Sequence, residues 1–230
     1  MSEKIPSNAP APEPYEPYRV TPVTRLLIDT TVAVFLLQVT LFYLQGHDVV
    51  GEKLSFSAQA WTEHRYWTLL TYAWAHAVAL PGAPGFFWLH ILVNMIPLFC
   101  LGPALEDYLG SWRFLGLYLG GAIAAALVWV AVDYQRGASI VGASGAAFAV
   151  IAAAGTAAPR MRVMVFLFFV LPIPMKLRTL ALVICGAELV QRVFHWMPEV
   201  AHSAHLGGAA FGFLYVLAMR LICLLPKIAD

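Results

Sequence analysis

The sequence predicts an all-α, polytopic membrane protein, a bundle of six transmembrane helices with a membrane-associated first loop. Hydrophobic residue types make up 60% of the 230 residues and charged types only 12%, whereas soluble domains carry about 45–50% and about 25%. The apolar residues are also gathered into long runs, and a helix needs about 20 residues to cross the hydrocarbon core of a bilayer. A formal net charge of +1 argues against a nucleic-acid partner, which would require a concentrated basic face.

The chain begins with a proline-rich stretch and continues with the apolar runs. Residues 1–22 hold six prolines and few aliphatic residues, so we expect a flexible cytoplasmic tail. The membrane domain is expected to occupy 23–225, followed by a short C-terminal tail at 226–230. Its six spans are predicted at about 26–45, 86–104, 112–132, 142–158, 177–194 and 203–225.

Three segments depart from the pattern of simple spans and short loops. The run at 142–158 is short and rich in Gly and Ala, so its helix is expected to begin below the membrane surface. Residues 163–171 are very apolar but number only nine, which predicts a membrane-embedded or interfacial piece. The long segment 47–85 is rich in Trp and Tyr and is expected to lie on the bilayer surface, where such aromatic residues concentrate.

The lysine and arginine residues predict which side of the membrane each loop faces. Six spans place 10 of the 14 basic residues on the side of the two termini and 4 on the opposite side. Basic residues are enriched in cytoplasmic loops. We therefore expect a multi-pass protein with both termini in the cytoplasm, in the inner membrane of a bacterium.

A serine flanked by glycines lies at the predicted start of the fourth span, in the stretch Gly142-Ala143-Ser144-Gly145. At a helix N-terminus, unpaired backbone N–H groups and the helix dipole favour a developing negative charge. This position is suited to a nucleophilic serine. A serine in a Gly- and Ala-rich membrane helix is also a common packing residue, and Ser144 alone fits either interpretation.

Two histidines open the sixth span, and His205 is the stronger functional candidate. Ionisable residues within a span are costly and tend to be functional. Gly208 and Gly212 follow His205 at i+3 and i+7, on the same helix face, and such a glycine pair lets two helices approach closely. We therefore expect His205 to reach Ser144. The alternative for His205 alone is a histidine at the membrane interface.

Polar residues also occur within the second and fifth spans. His90 and Asn94 are four residues apart and share a helix face, so both can donate to one point, as the donors of an oxyanion hole do. The alternative is a polar clasp between helices. Glu188 lies in the middle of the fifth span, where a buried acid with satisfied hydrogen bonds is the only role that the pattern suggests.

Five stretches follow one another along the chain, namely HILVN (90–94), GPALEDYLGSWRFLGLYLGG (102–121), VGASGAAF (141–148), LPIPMKL (171–177) and AHLGGAAFG (204–212). In this order they resemble the motifs of the rhomboid intramembrane serine proteases, over about residues 24–222. The resemblance implies a Ser–His dyad, with Ser144 as nucleophile and His205 as general base and then general acid. It also implies an oxyanion hole formed by His90, Asn94 and the backbone N–H of Ser144, with Phe148 stacked beside the imidazole.

The resemblance implies a serine endopeptidase that cleaves peptide bonds in or near transmembrane segments of membrane-protein substrates. The expected surroundings are the lipid bilayer, and the expected chemistry needs no cofactor and no metal. No acid in the sequence clearly completes a triad. Two alternatives are an inactive, client-binding member of the family and a small transporter or channel. The intact Ser144 and His205 argue against the first, and the lack of an internal repeat argues against the second.

Overall fold

The computed structural model describes residues 19–78, 87–133, 139–167 and 170–222. Almost all of the predicted tail 1–22 lies outside these residues, as do 226–230. In chain order the elements are α1 (Pro22–Gln45), α2 (Val49–Leu54), β1 (Phe56–Ser57), α3 (Ala58–Thr62), α4 (Thr68–Thr71), α5 (Phe87–Leu109), α6 (Ser111–Asp133), β2 (Ser139–Ile140), α7 (Ser144–Ala157), β3 (Arg162–Leu167), β4 (Leu171–Lys176), α8 (Leu177–Val193) and α9 (His202–Leu221).

Within the described residues, four helices are long and apolar enough to cross a membrane, namely α1, α5 from Trp88, α6 and α9. The chain is therefore a multi-pass membrane protein. Helix α7 has 14 residues and α8 has 17. A 14-residue helix is about 21 Å long, which is less than the ~30 Å hydrocarbon core. The count of six spans therefore stays a prediction.

Helix α7 lies at the centre of the bundle, where it packs against α5, α6, α8 and α9. Small residues allow very close contact with α9. A Cβ atom on Gly208 would lie 2.0 Å from the carbonyl oxygen of Gly145, and one on Gly212 would lie 2.1 Å from that of Ala149. The glycine face of α9 thus lies directly on the α7 backbone, as the spacing of the two glycines predicts.

Most of residues 163–171 belong to a β-hairpin, which departs from the all-α fold class. Strands β3 and β4 pair antiparallel, with Val165 opposite Ile173. The β-branched and aromatic residues of this run favour a strand, and a two-stranded sheet has only edge strands, where Pro172 and Pro174 are tolerated. The fold is therefore mostly helical and not all-α. The all-α prediction was wrong because it assigned no secondary structure to this short run. The expectation that the run is embedded in the membrane or lies at its interface stays a prediction.

The described part of the first loop is folded and docked onto the bundle. Strand β1 of this loop pairs with β2, which lies between α6 and α7, and Phe56 stands opposite Ile140. The loop therefore contacts the segment that leads into α7. Gln38 of α1 donates to the carbonyl of His76 at 2.7 Å and accepts from the His76 N–H at 3.1 Å. The Tyr72 hydroxyl donates to a carbonyl of α6 at 2.7 Å. These bonds fix the loop beside the start of α7.

Glu106 of α5 ties the start of α1 to the bundle. Its buried carboxylate accepts from the backbone N–H groups of Val23 at 3.1 Å and Thr24 at 2.8 Å. It also accepts from the hydroxyls of Thr21 and of Ser111, the latter at 2.7 Å. A carboxylate at a helix N-terminus pairs unsatisfied N–H groups and complements the helix dipole. Glu106 therefore has a structural role.

Candidate active site

A tight turn places Ser144 as the first residue of α7. The turn is held by Gly142, whose N–H donates to the carbonyl of Tyr72 at 2.9 Å. Gly142 has a φ of +111°, a conformation that favours glycine. A Cβ atom there would also lie 2.9 Å from His90 Nε2. The glycine therefore gives the backbone its turn and leaves the space beside it to the His90 ring.

The structure brings Ser144 and His205 together. His205 Nε2 lies 2.8 Å from Ser144 Oγ, and both residues are half-buried. The Phe148 ring, one turn after Ser144, stacks on the imidazole with a centroid separation of 4.5 Å and an interplanar angle of 7°. Offset-stacked rings of this kind attract one another. Phe148 therefore restricts rotation of the imidazole and keeps Nε2 directed towards the serine.

The tautomer of His90 follows from its hydrogen bond to the first loop. The backbone N–H of Ala77 donates to His90 Nδ1 at 3.1 Å. Because Nδ1 accepts, the proton of the neutral ring is on Nε2, the atom that lies beside Gly142. His90 thus presents an N–H donor to the turn before Ser144.

Asn94 adds a second donor beside the same turn. Its Nδ2 donates one hydrogen to the carbonyl of His90 at 2.7 Å. Exchanging the amide N and O would place two oxygens against each other, so the orientation follows from the network. A Cβ atom on Gly142 would lie 3.8 Å from Nδ2. The second N–H of Asn94, His90 Nε2–H and the backbone N–H of Ser144 are therefore the local donors. The first N–H groups of a helix have no acceptor within that helix.

His76 supports the same turn from the first loop. Its Nε2 accepts from the backbone N–H of Ala143 at 3.4 Å, and its ring lies 5.2 Å from that of His90. Burial, and then the neighbouring His90, lower the pKa of His76 to about 3. His76 is therefore neutral at physiological pH and acts as an acceptor. Sequence reasoning assigned it no role, because its contact with Ala143 joins positions 67 residues apart.

Glu188, for which the sequence suggested only a buried acid with satisfied hydrogen bonds, lies next to His205. Glu188 Oε2 is 2.9 Å from His205 Nδ1 and 2.6 Å from His202 Nδ1. The sequence pointed to no acid that clearly completes a triad, and the structure places this carboxylate next to the imidazole. The signal that marks Glu188 in the sequence is an ionisable residue in the middle of an apolar helix.

Glu188, His202 and His205 are also of the residue types that bind metals. Their donor atoms lie within 4.8 Å of one another, as the one such group of three among the described residues. Tetrahedral zinc holds its nitrogen and oxygen ligands about 3.3 Å apart, whereas two separations here are 2.6 and 2.9 Å. These two separations are those of hydrogen-bonded or ion-paired groups. As arranged, the three side chains do not fit a metal ion.

A family model described as the Rhomboid domain matches residues 63–221, which is more than half of the chain. The chain is 33% identical over 133 residues to presenilin-associated rhomboid-like protein A, mitochondrial, of Danio rerio, covering 56% of this chain and 33% of that protein. It is 31% identical over 161 residues to RHOMBOID-like protein 5 of Arabidopsis thaliana, covering 69% and 46%. For Rhomboid protein 1, mitochondrial, of Saccharomyces cerevisiae the identity is 31% over 133 residues, covering 56% and 37%. The matches thus span between a third and a half of these relatives.

Proposed function

This chain belongs to the rhomboid family, and we propose that it is an intramembrane serine endopeptidase that hydrolyses peptide bonds in or near transmembrane segments of membrane-protein substrates. The observation that carries the proposal is the 2.8 Å approach of His205 Nε2 to Ser144 Oγ. A serine hydroxyl within hydrogen-bond reach of an imidazole is the arrangement that activates a nucleophile.

In the first half-reaction, Ser144 Oγ attacks the scissile carbonyl carbon while its proton passes to His205 Nε2. The carbonyl oxygen gains the negative charge and accepts from the donors of His90, Asn94 and the Ser144 backbone. His205 then gives the proton to the leaving amine nitrogen as the C–N bond breaks. One product leaves as an amine, and the other stays on Ser144 as an ester.

In the second half-reaction, a water molecule attacks the ester carbonyl carbon and gives its proton to His205 Nε2. The proton then returns to Ser144 Oγ, and the second product leaves with a new carboxyl group. This step needs water within a membrane. The partial exposure of Ser144 and His205 suits access of water, and non-helical backbone such as the turn before α7 is tolerated at membrane depth where it lines a cavity.

The proposal includes the orientation of the chain and its surroundings. The basic residues favour cytoplasmic termini, which puts the first loop on the outer side. Two of the relatives described above are named as mitochondrial, which speaks against the bacterial inner membrane expected from the sequence. The orientation depends only on the basic residues and is kept. Substrates are proposed to be transmembrane proteins that reach the site through the bilayer.

The proposal is tested with the purified protein in detergent micelles, using a fluorophosphonate probe and a model transmembrane substrate. We expect one adduct, located on Ser144 by mass spectrometry. Ser144→Ala and His205→Ala should each abolish cleavage while the protein still folds, because each removes one half of the pair. Ser55→Ala, at the end of α2, is the matched control and should label and cleave normally.

The result that would overturn the proposal is substantial turnover by purified Ser144→Ala protein. A folded wild-type protein that binds the transmembrane substrate but neither labels nor cleaves would instead favour a client-binding member of the family.

A further inference from the structure

We infer that Glu188 is a positioning residue for His205, so that this chain works with a Ser144–His205–Glu188 triad in which His202 holds the carboxylate. The inference rests on the proposed function, because a triad has meaning only if Ser144 is a nucleophile. It adds an acid and a second histidine to the expected dyad.

The first observation is the position of the carboxylate. Glu188 projects from α8 and its Oε2 lies 2.9 Å from Nδ1 of His205, on α9, while Ser144 lies at Nε2 of the same ring. The side chains of Glu188 and His205 are only 13% and 12% exposed. The three groups thus stand in the order nucleophile, base and acid, with the acid on the far side of the base.

The second observation concerns proton positions. His205 can accept the serine proton only if Nε2 is unprotonated, so the ring proton must be on Nδ1, which faces Oε2. Nδ1 has no hydrogen-bond partner of good geometry, so the 2.9 Å contact with Oε2 is a close approach and not a well-formed hydrogen bond. When His205 takes the serine proton, the imidazolium forms next to a negative charge, which stabilises it.

The third observation explains how a carboxylate is kept in an apolar helix. His202 Nε2 faces the carbonyl oxygens of Trp196 at 3.0 Å and Met197 at 3.2 Å, so Nε2 carries a proton. Its Nδ1 lies 2.6 Å from Glu188 Oε2, and a proton must lie between these two atoms, since each is otherwise an acceptor. A hydrogen bond between His202 Nδ1 and Glu188 Oε2 therefore anchors the carboxylate.

The test compares Glu188→Gln with the wild type in cleavage of the model substrate. The amide keeps the shape of the side chain but removes the charge. We expect kcat to fall by at least ten-fold, towards the ~10⁴-fold that the acid-to-amide change costs in a serine-protease triad, with KM nearly unchanged. The rate of fluorophosphonate labelling should fall in parallel. Glu199→Gln removes an exposed charge from the α8–α9 connection and should leave kcat unchanged.

The pH profile separates positioning from a purely structural role. Without the carboxylate the imidazolium is less stable, so the acid-side loss of activity should move to lower pH in Glu188→Gln. If Glu188 only linked α8 to α9, its replacement would lower thermal stability and leave the acid-side loss of activity at the wild-type pH. The titratable groups close to His205 are Glu188, His202 and His90, and Cys185 lies near Glu188. His202→Asn should reduce kcat less than Glu188→Gln, because it removes only the anchor.

Two further measurements test the inference, histidine NMR and activity in the presence of a chelator. If Glu188→Gln does not fold, Glu188→Asp retains the charge, and ¹⁵N NMR of histidine-labelled wild-type protein reports the His205 tautomer. We expect protonated Nδ1, and a ring protonated on Nε2 alone would overturn the triad. The wild type should keep its activity in a chelator, whereas loss of activity there would make Glu188 a metal ligand instead. Wild-type kcat and an unmoved acid limb in Glu188→Gln would refute the inference while leaving the Ser144 nucleophile intact, whereas failure of the wild type to label would refute the proposed function.

Discussion

At the scale of single residues, His90 and Asn94 test the oxyanion-hole assignment. Both present donors to the turn before Ser144, so they should act mainly in the transition state. Removing one such donor costs on the order of 10²–10³ in kcat. We expect His90→Ala and Asn94→Ala to lower kcat by about this factor and to change KM less.

A clasp between helices would give a different result for these two variants. Thermal stability would fall, while turnover per folded molecule would stay normal. Measuring stability and kcat on the same preparations therefore separates the two roles. Normal kcat in both variants would leave the backbone N–H groups near Ser144 as the remaining candidate donors.

His76 predicts a pH dependence of stability. Its pKa is lowered to about 3 in the folded protein by burial, against about 6.5 when unfolded. Below pH ~6.5 His76 is therefore protonated in the unfolded chain, whereas in the folded chain it stays neutral down to about pH 3. The contribution of neutral His76 to the free energy of unfolding is fully present above pH ~6.5. It is lost as the pH falls below this value, with a slope that approaches about 1.4 kcal/mol per pH unit.

Unfolding in detergent at pH values from 7 to 4 measures this loss. His76→Gln keeps polar groups near Ala143 but cannot titrate, so its stability should fall less steeply than that of the wild type. Equal slopes would show that His76 does not titrate on unfolding in this range.

The residues of the candidate site differ in how far the sequence reveals them. Ser144 and His205 follow from local patterns, a glycine-flanked serine at a helix start and a histidine on a glycine face. The position of Glu188 beside His205 depends on the crossing angle of α8 and α9, and no local sequence pattern predicts that angle. An ionisable residue in an apolar helix indicates that a partner exists, but it does not name the partner.

At the scale of elements, the contact between α7 and α9 makes a prediction about distance. A methyl group on Gly208 or Gly212 would meet a backbone carbonyl at 2.0 or 2.1 Å, so the helices must separate by more than 1 Å to reach ordinary contact at 3.4 Å. Misplacement of this size can cost on the order of 10²-fold in rate. We expect Gly208→Ala and Gly212→Ala to lose about that much kcat.

Gly186 of α8 is the matched control, because a Cβ atom there has nothing within 4 Å. Gly186→Ala should keep normal turnover, and alanine is the better helix former. If the Gly208 and Gly212 variants turned over as fast as Gly186→Ala, the Ser144–His205 distance would not depend on this contact.

Helices were predictable as elements and the hairpin was not. The six apolar runs match α1, α5, α6, α7, α8 and α9 to within a few residues at most ends, because long apolar stretches have few other solutions in a membrane. The run at 163–171 is too short for length to decide, and short apolar runs fit strands and buried helices equally well. The pairing of β3 with β4 decides it.

At the scale of the whole molecule, the 10-to-4 division of basic residues predicts the orientation of the chain. A reporter that is active only in the cytoplasm should work when fused after Asp230. The same reporter inserted after Arg136 should be inactive. A C-terminal reporter that works only outside would mean that the number of spans is odd, with α7 and α8 as the helices to re-examine.

The carboxylate of Glu106 also sets an order of assembly during synthesis. It lies 82 residues after Thr24, to whose N–H it binds, and a ribosome adds about 5–20 residues per second, so about 4–16 s separate the two. During that interval α1 can already lie in the bilayer, with the N–H groups of its first turn dependent on water. The N–H groups at the start of α1 therefore gain this acceptor only after the end of α5 has been synthesised.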